Sequence, residues 1–212
     1  MNRFKDIKVL VWDMDGTLYK SSPELSRLVK KKEYEILARR KGISLVEAEN
    51  LFETKRKTCP SGTEVLIREG CGSYFKVLSK TDPVITSRFI KKDPKLVAML
   101  AKLKDYRHLI LANKTKRNTL GVIHWLGLKK TIFEKIFTIE DFKVTKPNLK
   151  PFKMVLAYTK LPPNAHLMIG DREKVDLEPA KKLGMKTCFV WGKSEIADLS
   201  LPRVYDVAQI LL

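Results

Sequence analysis

The segment Asp13-Met14-Asp15-Gly16 carries two carboxylates, two positions apart, directly before a glycine. In a continuing strand these side chains would point to opposite faces, but Gly16 favours a turn. If the chain turns after Asp13, the Asp13 carboxylate and the backbone carbonyl of Asp15 can converge on one cation. Mg²⁺ suits such hard oxygen ligands because it also keeps several waters. An alternative is a plain turn at a strand end, where Asp and Gly are common.

A second acidic segment follows far along the chain, with Asp171 directly after Gly170 and Asp176 five residues further on. A carboxylate at the end of another strand would complete a metal site with Asp13 and Asp15. Asp171 could instead cap the next helix. We favour the metal role, because acids crowded at one place repel each other without a cation.

Basic and amide groups follow two other predicted strands. Lys146 precedes Pro147, and a lysine there would supply positive charge to compensate several crowded acids. The alternative is a solvated lysine before a proline-initiated loop. Asn113 follows Ala112 at the end of another apolar run and offers a backbone N–H and a side-chain amide.

The elements that would position these residues alternate between strands and helices. Continuous apolar runs predict strands that are buried on both faces, and the periodic segments between them predict helices. This alternation indicates a doubly wound, Rossmann-like parallel α/β sheet with helices on both faces. In such a sheet the active site lies at the carboxyl ends of the strands. The predicted strands are 7–12, 108–112, 136–138, 167–169 and 187–191.

Residues 19–91 interrupt this alternation with helical patterns alone. Ser22-Pro23 predicts a helix start, and Gly42 breaks the helical pattern. Ser44 with Glu47 forms a capping box that opens a further helix. We therefore predict a core domain from residues 1–18 and 92–212, with a small helical domain at 19–91.

Three segments together resemble a known family. Asp13-Met14-Asp15-Gly16-Thr17 resembles the DxDGT signature of the haloacid dehalogenase superfamily, most of whose members are Mg²⁺-dependent phosphatases. Lys146-Pro147 resembles its basic motif, and the segment from Gly170 to Asp176 resembles its acidic motif. The helical segment is similar to the cap domain that this superfamily inserts after the first motif.

The resemblance implies a phosphatase that hydrolyses a small phosphomonoester through an aspartyl-phosphate. Asp13 would be the nucleophile, and Asp15 would be the general acid and base. In the superfamily's dehalogenases the second acid is replaced, so Asp15 favours a phosphatase. The resemblance implies that the metal ligands are Asp13, Asp15, Asp171 and Asp176. The catalytic residues would be Asp13, Asp15 and Lys146. The substrate-binding residues would be Asn113, Lys146 and Thr17.

The second strand departs from the family pattern, which usually ends there with Ser or Thr. Ala112 occupies the aligned position and has no hydroxyl for the transferring phosphoryl group. A slower enzyme is therefore expected, since one neutral hydrogen bond is worth about 0.5–1.5 kcal/mol. The alternatives are a catalytically weakened binding or regulatory protein, or a phosphatase directed at nucleic acid.

Composition narrows the class of protein. The 212 residues include 42 Lys and Arg against 24 Asp and Glu, a formal net charge of +18. The basic residues occur in short dispersed groups, so we expect solvated helix faces rather than a nucleic-acid partner. The apolar runs are too short to span a membrane, and three scattered cysteines with a charged start predict a cytoplasmic protein. We expect a monomer or homodimer that acts on a small phosphorylated metabolite with Mg²⁺.

Overall fold

The computed structural model describes residues 4–80 and 86–212, which divide into two compact units. One unit comprises Met1–Lys20 with Ile90–Leu212, and the other comprises Ser21–Phe89. The part of the predicted helical segment at 81–85 lies outside the described residues. None of the described helices is both long and apolar enough to cross a bilayer.

The first unit is built on a six-stranded sheet in which all neighbouring strands are parallel. The predicted α/β fold class is therefore confirmed. The strand order is β3-β2-β1-β4-β5-β6, so β1 lies between β2 and β4. The strands are β1 (Val9–Trp12), β2 (Arg107–Leu111), β3 (Lys135–Phe137), β4 (His166–Gly170), β5 (Lys186–Val190) and β6 (Leu199–Leu201).

The central strand explains where the polar residues lie. All four residues of β1 are fully buried, because helices and neighbouring strands cover a segment that carries only apolar side chains. Its last residue, Trp12, pairs with Ile110 of β2 and with Ile169 of β4. The residues that follow these strands therefore emerge at the same edge of the sheet.

The edge strand β6 was not predicted from the sequence. It is only three residues long and pairs with β5 through Cys188, Phe189 and Val190. Its segment Leu-Ser-Leu has no continuous apolar run, and such a short strand depends on its neighbour for backbone hydrogen bonds. The five predicted strands all exist, with ends that differ by one or two residues.

The helices of the first unit follow the strands in turn. Asp93 caps the helix that precedes β2, with its carboxylate accepting from the N–H of Leu96 at 3.0 Å. The helices, with a π-helical turn after β4, are α5 (Pro94–Lys102), α6 (Lys116–Trp125), α7 (Ile139–Phe142), α8 (Leu149–Thr159), the π-turn (Glu173–Leu177), α9 (Glu178–Lys182) and α10 (Val207–Leu211).

We term the second unit the helical unit, because its described regular elements are helices. They are α1 (Pro23–Lys41), α2 (Leu45–Arg56), α3 (Gly62–Arg68) and α4 (Tyr74–Ser79). The capping box of Ser44 and Glu47 is present as predicted. Gly42 ends α1 in the left-handed conformation, at φ 68°. Leu37, Phe52 and Val65 are among the side chains that form a separate small core.

Candidate active site

Asp13 is the first residue after β1, and its environment is almost closed to solvent. Its N–H donates to the carbonyl of Ile169 at 2.9 Å, which holds it in line with the sheet. The Thr17 hydroxyl donates to Asp13 Oδ2 at 3.0 Å and lies 3.4 Å from Asp171 Oδ1. Gly16 provides the turn between them at φ 82°. The predicted turn after Asp13 thus brings Thr17 back to the same carboxylate.

Lys146 is completely buried beside Asp13. Its Nζ donates to Asp13 Oδ1 at 2.7 Å and to Asp176 Oδ1 at 2.6 Å. The structure therefore joins three residues that the sequence had assigned to one site from separate motifs. A lysine with no exposed surface is stable only when charged partners of this kind surround its ammonium group.

Asn113 holds the backbone of Lys146. Its Oδ1 accepts from the Lys146 N–H at 2.8 Å, and its Nδ2 donates to the Lys146 carbonyl at 3.1 Å. Both ends of the side-chain amide are thus engaged by Lys146. The sequence offered this amide as a group for substrate, whereas its observed contacts position the lysine and leave the backbone N–H of Asn113 for that role.

Asp171 and Asp176 complete an acidic cluster with Asp13. One carboxylate oxygen from each lies within 4.8 Å of the others. Two glycines permit this close approach. A side chain at Gly16 would collide with the Asp171 carboxylate, and a Cβ at Gly170 would lie 2.6 Å from Asp176 Cβ.

Arg172 was not singled out in the sequence, yet its guanidinium lies against this cluster. Its Nε is 3.8 Å from both Asp171 Oδ1 and Asp176 Oδ2. These distances are too long for hydrogen bonds. Arg172 Nε and Asp176 Oδ2 are both buried and lack a hydrogen-bond partner in the described part of the chain. The only sequence signal for Arg172 was its place directly after Asp171.

Asp15 lies apart from the acidic cluster. Its Oδ1 accepts from the Tyr19 hydroxyl, and its Oδ2 is 3.0 Å from Lys114 Nζ. Its side chain is 41% exposed, unlike that of Asp13. Neither partner was predicted from the sequence, although Lys114 follows Asn113 and Tyr19 lies four residues beyond Asp15. A solvent-accessible carboxylate beside a buried one is suited to proton transfer.

The buried groups have perturbed protonation equilibria. Burial alone would raise the pKa of Asp13, but the positive charges of Lys146 and Arg172, together with hydrogen bonds from Lys146 and the Met14 backbone, outweigh it and hold that pKa below its ordinary value. Burial would lower the pKa of Lys146, and its two carboxylate partners raise it instead. Burial and the charge of Asp13 raise the pKa of Asp176 and bring that of Asp171 to about 7. The cluster thus holds more negative charge than its neighbours neutralise.

This donor set fits a divalent metal ion such as Mg²⁺. Carboxylate oxygens are the hard ligands that Mg²⁺ prefers. Asp176 Oδ2 is buried without a hydrogen-bond partner among the described residues, so an oxygen is left for coordination. The Asp15 side chain is outside the cluster, which leaves its backbone carbonyl as the group predicted to contribute.

A family model agrees with the fold and the motifs. The model described as haloacid dehalogenase-like hydrolase matches residues 10–190. That range includes β1 except its first residue, the helical unit and every side chain of the candidate active site described above. The chain therefore belongs to the haloacid dehalogenase-like hydrolase family, and the predicted membership is confirmed.

Two curated relatives carry the same name. Glyceraldehyde 3-phosphate phosphatase of Methanocaldococcus jannaschii is 28% identical over 237 aligned positions, which cover 97% of each protein. The protein of that name from Pyrococcus furiosus is 40% identical over 76 residues, covering 35% of this chain and 31% of the relative.

Solved structures support the fold. A HAD phosphatase from Thermococcus onnurineus superimposes with a TM-score of 0.70 at 22% identity, covering 97% of this chain and 98% of that one. L-2-haloacid dehalogenase from Xanthobacter autotrophicus gives a TM-score of 0.62 at 14% identity, with the same coverage. At these identities the likeness concerns the fold, and both phosphatases and dehalogenases use it.

Proposed function

We propose that this protein is a Mg²⁺-dependent phosphatase of small phosphomonoesters that works through an aspartyl-phosphate. The observation that carries the proposal is the position of Asp13. Its carboxylate lies between Lys146 and the Thr17 hydroxyl, at the edge of the acidic cluster, while Asp15 stands nearby with different partners. One site thus offers a nucleophile, positive charge and a separate proton-transfer group.

In the first step a carboxylate oxygen of Asp13 attacks phosphorus, and the ester P–O bond breaks. Asp15, in its protonated form, gives its proton to the leaving alcohol oxygen. In the second step Asp15 removes a proton from water, whose oxygen attacks the phosphorus and releases Asp13 and phosphate. Lys146 keeps Asp13 ionised for attack and supplies positive charge next to the phosphoryl oxygens.

Asp13, Asp171, Asp176 and the backbone carbonyl of Asp15 would hold the Mg²⁺. When bound, the ion neutralises the negative charge of the phosphoryl group during transfer. The residues of this chain determine which carboxylate remains free to attack. Thr17 contributes here, because its hydroxyl is hydrogen-bonded to Asp13 Oδ2 and restrains the carboxylate in one orientation.

The names of the relatives support a proposal for the substrate class. The Methanocaldococcus protein is named for glyceraldehyde 3-phosphate and aligns over 97% of both chains. We infer that triose phosphates and phosphomonoesters of similar size are substrates. The helical unit is proposed to act as the cap that selects among them, as the sequence analysis expected for residues 19–91.

The test is a panel of phosphomonoesters that includes glyceraldehyde 3-phosphate and a chromogenic aryl phosphate. Phosphate release should require Mg²⁺, stop with EDTA and be lost in Asp13→Asn. Asp105→Asn, an exposed change of the same kind, should retain activity. Absence of Mg²⁺-dependent release across the panel, or equal rates in both variants, would reject the phosphatase proposal.

A second candidate is a weakened binding or regulatory protein, which Ala112 favours. This residue directly follows β2 with 1% exposure, and its N–H donates to the carbonyl of Phe137. We expect Ala112→Ser to raise the phosphatase rate by about tenfold, because the new hydroxyl would contact the phosphoryl group. An unchanged or lower rate would show that position 112 does not face the phosphate.

A further inference from the structure

The helical unit contains a cavity of about 540 Å³ that is lined mainly by basic side chains. Its walls come from the second half of α1, from the segment after α3, and from α4 with the residue that follows it. The basic residues are Lys32, Arg39, Arg40, Lys76 and Lys80, whereas Glu35 is the acidic residue of the lining. The volume lies within the usual range of sites for small organic ligands.

The charges of this cavity are only partly compensated. Lys32 Nζ is 3.1 Å from Glu35 Oε2, and Arg40 Nε donates to the carbonyl of Gly70 at 2.7 Å. Arg39, Lys76 and Lys80 form no ion pair with any residue in the two described ranges. Three cations at one opening repel each other, so an anion that bridges them is favoured.

The uncharged residues that line the cavity indicate a ligand with an organic part. Ile36 and Cys71 contribute apolar surface, and Cys71 is buried, which raises the pKa of its thiol. Gly70 and Gly72 carry no side chains that would fill the space. Apolar groups and several cations in the same lining suit a compact molecule with an organic part and more than one phosphate group. A nucleic-acid backbone would instead be expected to follow an extended basic groove.

We propose that this cavity binds a small organic polyphosphate, of the size and charge of a nucleoside triphosphate. Arg39, Lys76 and Lys80 contact its phosphates, and the organic part lies against Ile36 and Cys71. The binding needs neither a metal ion nor phosphatase turnover, because every group that it uses belongs to the helical unit.

The test measures binding of the non-hydrolysable analogue adenosine 5′-(β,γ-imido)triphosphate to the full chain in EDTA, by calorimetry. EDTA prevents metal-dependent turnover, so failure of the phosphatase proposal would not affect the result. We expect one analogue per chain. Each exposed ion pair at about 4 Å is worth roughly a fivefold change in affinity. The double variant Lys76→Gln/Lys80→Gln should therefore bind about 10–25 times more weakly, and Lys76→Arg/Lys80→Arg should recover most of the affinity.

Lys57→Gln is the matched control, because it removes an exposed charge of the same unit away from the cavity. It should change the affinity by less than about twofold. Three outcomes would overturn the proposal: no binding to the wild type up to about 1 mM analogue, equal weakening in Lys57→Gln, or unchanged affinity in the double variant. If a single-stranded oligouridylate displaces the analogue and binds more tightly through Lys76 and Lys80, the surface is a nucleic-acid site instead.

Discussion

Lys146→Met is the substitution that tests the candidate active site most directly. Methionine keeps much of the side-chain volume but removes the ammonium group. That group lies 2.7 Å from Asp13 Oδ1 and 2.6 Å from Asp176 Oδ1, with no exposed surface. The change therefore leaves two buried carboxylates without their closest positive charge.

The expected cost follows from this burial. Removing one partner of a buried ion pair typically destabilises a protein by about 3–5 kcal/mol, because the remaining charge stays desolvated. For a chain of this size, each kcal/mol lowers the melting temperature by about 2–4 °C, so a decrease of roughly 6–20 °C is expected. Without Lys146 the two carboxylates should have folded-state pKa values above their unfolded values. The loss should therefore be largest at high pH and should shrink as they take up protons below about pH 5.

Thermal and urea unfolding of the metal-free protein would measure this cost, together with the rate of phosphate release. The rate should fall at least about 100-fold, as expected when a charge that stabilises the transition state is removed. Lys150→Met, at an exposed position of α8, is the control and should leave both quantities nearly unchanged. A loss below about 1 kcal/mol that is the same at every pH would refute the reasoning, since surface ion pairs behave in that way.

Three further predictions concern the neighbouring groups and the helical unit. Asn113→Ala should lower kcat about tenfold with little change in KM, because two hydrogen bonds that position Lys146 are lost. Arg172→Gln should tighten Mg²⁺ binding about tenfold in calorimetry, because the guanidinium lies 3.8 Å from two of the proposed ligands and repels the cation. Glu33→Gln should stabilise the protein above pH 7 by up to about 3 kcal/mol, because burial raises the pKa of Glu33 from 4.5 to about 7.

For each of these three predictions, a different result would contradict the stated physical reason. A rise in KM without a fall in kcat would mean that Asn113 contacts substrate rather than Lys146. Weaker Mg²⁺ binding after Arg172→Gln would mean that the arginine organises the ligands. For Glu33, the cost of ionisation is absent below its ordinary pKa of 4.5 and complete above about 7, so the gain should disappear near pH 4. A gain of equal size at both pH values, or in the exposed control Glu49→Gln, would contradict burial as the cause.

Local signals in the sequence predicted much of the architecture. An apolar run has one stable place in an α/β protein, the middle of a parallel sheet, so β1 and the position of Asp13 at its end could be inferred. The capping box at Ser44 and Glu47 depends on two residues three positions apart, so it could also be predicted from the sequence. The short edge strand β6 was missed because its pairing with β5, rather than its own three residues, makes it a strand.

The sequence alone determined the parallel α/β fold, the family and the acids that meet at one edge of the sheet, because strand patterns and short motifs carry that information. Only the tertiary structure decided which atoms touch. Asn113 and Lys146 are 33 residues apart and meet because Asn113 follows β2 and Lys146 follows β3, and these two strands are neighbours in the sheet. Arg172 and Lys114 had no role predicted from the sequence, whereas packing places Arg172 beside the acidic cluster and Lys114 beside Asp15. Such contacts depend on side-chain packing between distant segments, which local patterns do not encode.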